Sequence, residues 1–231
     1  VTREDFAKLC VAQRTNALSN PYALMKKPLT HAQYMQARPI SDPIHLFDCV
    51  MPCAGAEAFI VTTPEKAEEL GLSTARLAAT IERHNAFAED PVQTRGGWAR
   101  DIDDLWSAAG YAPQDMDMVQ LYDDYPVIVA MQLADLGFCD KAELSQFIAD
   151  NDFTIDGSIP LNTNGGQLSA GQAGAAGGFQ NMTEGLRQIL RVPLGDQVPD
   201  ARRALISGFG LVNYDRGVCT GAAVLEQDEL R

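Results

Sequence analysis

Between Pro160 and Gly178 the chain reads Pro-Leu-Asn-Thr-Asn-Gly-Gly-Gln-Leu-Ser-Ala-Gly-Gln-Ala-Gly-Ala-Ala-Gly-Gly, followed by a helical pattern from Phe179 to Leu190. Gly165, Gly166, Gly171, Gly174, Gly177 and Gly178 remove side-chain bulk from this stretch. Such a segment suits close approach of its backbone: either its N–H groups face a ligand, or a neighbouring helix packs directly against it. Composition alone leaves both readings open.

The 231 residues suffice for one large or two modest domains, and 46% hydrophobic with 21% charged residues describes an ordinary globular chain. A net charge of −13 argues against a nucleic-acid backbone or an anionic membrane as the main partner. No apolar run approaches the ~20 residues of a membrane span, and no signal-peptide pattern opens the chain. Cys10, Cys49, Cys53, Cys139 and Cys219 are odd in number and irregularly spaced, which fits free thiols in a reducing, cytoplasmic setting. His31, His45 and His84 share no metal spacing, and no metal is expected. The start at Val1, directly on a helical pattern, suggests a fragment or processed chain.

Helices are expected over Asp5–Leu18, over His31–Arg38 capped by Thr30, and over Pro64–Leu70 with Gly71 as its stop. Further helices are read at Trp98–Gly110, Ala142–Asp150 and Pro126–Leu136, the last apolar nearly all round and therefore central and buried. Ala56–Thr62 reads as a buried strand, Ala75–Ala86 as an outer strand and Asp117–Tyr122 as a short one. Ala204–Val212 and Val218–Leu225 read as neighbouring strands joined by a tight turn. The alternation indicates an α/β fold with helices layered on a sheet. The composition shift at Asp90–Gly97 divides the chain into 1–95 and 96–231.

Four blocks carry a resemblance. They are Phe47-Asp-Cys-Val-Met-Pro-Cys-Ala-Gly-Ala-Glu-Ala58, Val119-Gln-Leu-Tyr-Asp-Asp-Tyr125, the loop Pro160–Gly178, and the closing pair Ser207–Glu226. In type and order they resemble the C-terminal part of thiolases, in the group containing sterol carrier protein X thiolases and thiolase-like lipid-transfer proteins. The resemblance implies a thiolase-like layered α-β-α fold with mixed five-stranded sheets. Residues 1–95 would complete a first half, including a loop region, and 96–231 would form the C-terminal half. It further implies an acyl-CoA substrate with no other cofactor, since coenzyme A enters as part of that substrate. A homodimer, and a small partner protein combining an oligonucleotide-fold barrel with a zinc ribbon, are implied as well.

The departures from the thiolase pattern direct the chemistry. Gln172 stands where the thiolase loop has a histidine, Tyr214 falls at the second catalytic cysteine, and Tyr122-Asp123 replaces the His-Asp or Asn-Glu pair. An amide donates a hydrogen bond to an oxyanion but carries no proton at neutral pH. The pattern therefore resembles the thiolase-like side-chain aldolases, which use tyrosines to cleave a β-hydroxyacyl-CoA. In that reading Tyr214 is the base or proton relay, Gln172 the oxyanion donor, and Tyr122 and Asp123 complete the site. Asn162, Gly165 and Gly166 of the loop would meet substrate. Three structural alternatives stand beside it: Tyr214 as a packed turn residue, Asp123 and Asp124 as favourable charges before the Pro126 helix, and Cys219 as a small core residue. Two other functions remain: an acyltransferase whose nucleophilic cysteine lies upstream, or a non-catalytic acyl-CoA or lipid carrier.

Overall fold

A computed structural model describes residues 1–174, 177–213 and 216–228. Its centre is a mixed four-stranded sheet in the order β3-β6-β5-β4, built from β3 (Ala75–His84), β4 (Met118–Gln120), β5 (Arg203–Asn213) and β6 (Arg216–Gln227). β5 and β6 form a long antiparallel hairpin, β3 adds antiparallel to β6, and β4 runs parallel to β5. Leu161 extends the sheet beyond β4 through a parallel bridge to Val119. A separate pair, β1 (Pro39–Ser41) and β2 (Ile44–His45), lies between the first helices.

Alternation along the hairpin sends successive side chains to opposite faces, and each face builds its own core. Leu205, Ala222 and Val224 pack with α1 (Arg3–Ala17), α4 (Trp98–Ala109), α5 (Pro126–Asp135) and α6 (Leu144–Asp150). Ala204, Ile206, Ala223 and Leu225 pack on the other side with Ile189 of α8 (Gly177–Ile189), joined by Val198 and Ala201. Gly185 lets α8 lie close, because a Cβ there would strike Ile206. A third cluster joins α1 to α2 (His31–Met35) and α7 (Gly166–Ser169) through Ala7, Cys10, Tyr34 and Leu168.

Local signals act as expected at several ends. Thr30 accepts from the Gln33 N–H at the start of α2, and α3 (Pro64–Leu70) opens on Pro64 and stops at left-handed Gly71. One expectation differs. Ala56–Thr62 forms no strand: none of its backbone groups pairs with another backbone group among the described residues, and Ile60 and Val61 are 88% and 85% exposed. Its apolar run had the composition of a strand but has no neighbour to pair with. α5 is central and buried as expected, packed among α1, α4 and α6 with Val127 half exposed. β3, which precedes the composition shift at Asp90–Gly97, is hydrogen-bonded to β6 along most of its length.

Candidate active site

The site forms where β4 hands the chain to α5. Asn162 holds this crossing in place. Its Oδ1 accepts from the Leu121 N–H at 2.7 Å, and its Nδ2 donates to the Leu121 carbonyl at 2.9 Å and to Gln13 of α1 at 3.1 Å. The side chain is fully buried and its backbone takes the left-handed φ of 46°, a conformation asparagine tolerates better than most residues. These bonds occupy Asn162 internally. It shapes the site and does not line it.

Asp123 is likewise fully buried, and its carboxylate accepts from the N–H groups of Gln167 and Leu168 at 2.9 and 3.2 Å. It thus caps α7 inside the glycine loop, whereas the charge-before-helix alternative had assigned it to α5. Burial pushes its pKa up to about 8, against the lowering effect of those two bonds. Gly166, at φ 59°, brings its backbone against this carboxylate, and a Cβ there would collide with it. Gly165, at φ 102°, sits against Ala17 of α1. At these two positions the glycines serve close packing.

Tyr122 lies next to this buttress. Its N–H donates to Ser207 Oγ at 3.3 Å, its carbonyl accepts from Gln132 at 2.7 Å, and its ring stands 6.3 Å from that of Phe209. The phenol faces the side-chain amides of Gln167 and Gln172. Burial raises its pKa and nearby Asp124 adds to this, while the two amides oppose the shift, so the hydroxyl keeps its proton at neutral pH. Asp124 is itself pushed up to about 6 by burial. Gln172 is pinned by its backbone: its N–H donates to the Met51 carbonyl and its carbonyl accepts from the Cys53 N–H, both at 2.9 Å. The Phe47–Ala58 block and the glycine loop therefore meet at this residue.

Gln167 was not singled out from the sequence. It is fully buried against Gly177, and its amide approaches the phenol without completing a hydrogen bond. Asn181, one turn further along α8, is buried with both amide atoms unpaired among the described residues. A lone Gln inside Gly-Gly-Gln-Leu carries no sequence signal that would have marked it. Tyr214 lies outside the described residues. Nearby Arg216 donates to the carbonyls of Phe87, Ala88 and Asp90. Cys219, expected in the core, is only half buried and stands beside His84.

A protonated phenol and a primary amide converging from two elements form a pair of neutral donors, suited to holding a developing oxyanion. The family model for thiolase C-terminal domain-like proteins matches residues 79–220, and the chain belongs to that family. It is 32% identical over 199 residues to the 17-hydroxy-3-oxo-4-pregnene-20-carboxyl-CoA lyase of Mycobacterium tuberculosis, covering 81% of this chain and 50% of that protein. It is 30% identical over 235 residues to a steroid side-chain-cleaving aldolase of Thermomonospora curvata, covering 98% and 58%. The chain thus spans about half the length of these curated relatives. The solved structure of an Ltp2-ChsH2(DUF35) aldolase superposes with a TM-score of 0.83 at 26% identity, covering all of this chain and 60% of that one. Among the described residues no helix is long and apolar enough to cross a membrane.

Proposed function

We propose that this chain forms part of an enzyme that cleaves a β-hydroxyacyl-CoA by a retro-aldol reaction. The observation that carries this reading is the buried junction at which Asp123, the neighbour of Tyr122, binds the Gln167 and Leu168 N–H groups and the Gln172 backbone is fixed between Met51 and Cys53. A base removes the proton of the β-hydroxyl, the bond between the α and β carbons breaks, and its electron pair moves into the thioester as an enolate. The released fragment leaves as a ketone or aldehyde, and protonation of the α carbon gives the shortened acyl-CoA. Tyr122 and Gln172 donate to the enolate oxygen, Tyr214 serves as the base or proton relay, and Asp123 holds the loop that presents Gln172. Coenzyme A is part of the substrate, and no step uses a metal. The names of both curated relatives describe this class of cleavage, which supports the reading. The working enzyme is a cytoplasmic homodimer with a small oligonucleotide-fold and zinc-ribbon partner. The two-component name of the structural neighbour favours a second subunit.

The test is turnover of a ring-bearing β-hydroxyacyl-CoA by the full-length protein, following release of the shortened acyl-CoA. Tyr122→Phe and Tyr214→Phe should each lower kcat by more than about 10²-fold with KM little changed. A fully active Tyr122→Phe protein overturns the donor assignment. Acyl-enzyme formation from acetyl-CoA would instead identify an acyltransferase, and saturable binding without turnover a carrier.

A further inference from the structure

The edge of the sheet farthest from β4 gathers three side chains whose atoms have the chemistry of metal ligands. Glu82 and His84 are two residues apart on β3, so their side chains leave the same face of the strand. Cys219 of β6 is the direct cross-strand partner of His84, which places its thiol on that face too. The Sγ of Cys219 lies 3.6 Å from Nε2 of His84, and Oε1 of Glu82 contacts the same nitrogen. All three ligand atoms lie within 4.8 Å of one another.

We propose that Glu82, His84 and Cys219 form a zinc site that ties β3 to β6. Thiolate sulfur and imidazole nitrogen bind zinc at about 2.3 and 2.1 Å, and two such ligands at a tetrahedral angle stand about 3.6 Å apart. The Cys219–His84 pair already has that spacing. The Glu82 carboxylate touches His84 more closely than two ligands of one ion do, so it turns slightly outward to bind. Its side chain and that of His84 are both more than half exposed and free to make that adjustment. A thiolate, an imidazole and a carboxylate together suit zinc better than magnesium or calcium. The fourth position has room for water: on the other side of Cys219 its partner is Gly210 of β5, beside which an added Cβ would meet nothing within 4 Å. Spacing along the sequence hides such a site because its third ligand lies 135 residues beyond His84 in the chain.

Cobalt(II) titration of the reduced, chelator-treated full-length protein reads the site directly. One equivalent should bind with a near-ultraviolet thiolate-to-cobalt charge-transfer band, displaced by zinc. The band should vanish in Cys219→Ser and weaken in His84→Ala, and it should persist in a Cys49→Ser/Cys53→Ser double variant. In parallel, zinc at about a hundredfold excess over its Kd should raise the melting temperature by roughly 5 °C in the wild type and leave Cys219→Ser unmoved. Absence of the band in wild type overturns the proposal, as does a band or melting shift retained by Cys219→Ser. Equal unfolding of wild type and Cys219→Ser in chelator confirms that the fold is intact, so loss of the band then supports the assignment.

Discussion

Gly166 bears two constraints at once, a φ of 59° and the Asp123 carboxylate lying where a Cβ would stand. Gly174 shares the positive φ, 57°, but has open space around it. The pair separates backbone strain from steric contact. Gly174→Ala should cost about 1 kcal/mol, whereas Gly166→Ala should cost about 3 kcal/mol and also reduce kcat, since Asp123 caps the loop that carries Gln172. Urea unfolding midpoints and turnover measured on the same two variants check this. Equal costs would mean that the Asp123 contact yields easily. From the sequence, ligand contact and close packing explained the glycines equally well. Gly165 and Gly166 resolve it toward packing, because the deciding partners, Ala17 and Asp123, come from 148 and 43 residues away in the chain.

Elements with their own local signals were readable in advance. α2 has a capping threonine, α3 opens on a proline and ends in a left-handed glycine, and the β5–β6 hairpin alternates between two cores. Ala56–Thr62 lacked any such signal beyond hydrophobicity, and hydrophobicity does not say whether a neighbour exists. Its exposure gives a test: an Ile60→Ser/Val61→Ser double variant should change folding stability by less than about 0.5 kcal/mol, against several kcal/mol for a buried strand. Chemical denaturation of the chain decides between them. The site was legible only in part. Tyr122 and Gln172 stood out as departures from a familiar pattern, and their convergence is seen once the loop is in place. Gln167 became visible only through its burial and its unpaired amide.

Across the molecule, burial raises the pKa of Glu184 and lifts three aspartates that the proposed chemistry does not ionise: Asp123 to about 8, Asp124 to about 6 and Asp135 to about 6. In the unfolded chain each aspartate releases its proton near the ordinary value of 3.8. Between those limits the folded state binds more protons, so their stabilising contribution is complete below pH ~4. It declines as pH rises, through about 6 for Asp124 and Asp135 and through about 8 for Asp123. Asp124→Asn removes one of these titrations, so the variant should gain stability relative to wild type as pH rises from ~4 to ~7. Unfolding midpoints across that range measure the difference, and a constant offset would place Asp124 in the ordinary carboxylate range.

Because β3 belongs to the same sheet as the hairpin, a polypeptide cut at the composition shift and comprising residues 96–231 would leave β6 from Cys219 to Gln227 without its hydrogen-bonding neighbour on that side. Such a bare flank is a template for strand addition from other molecules, so the severed piece should clump more readily than the intact chain.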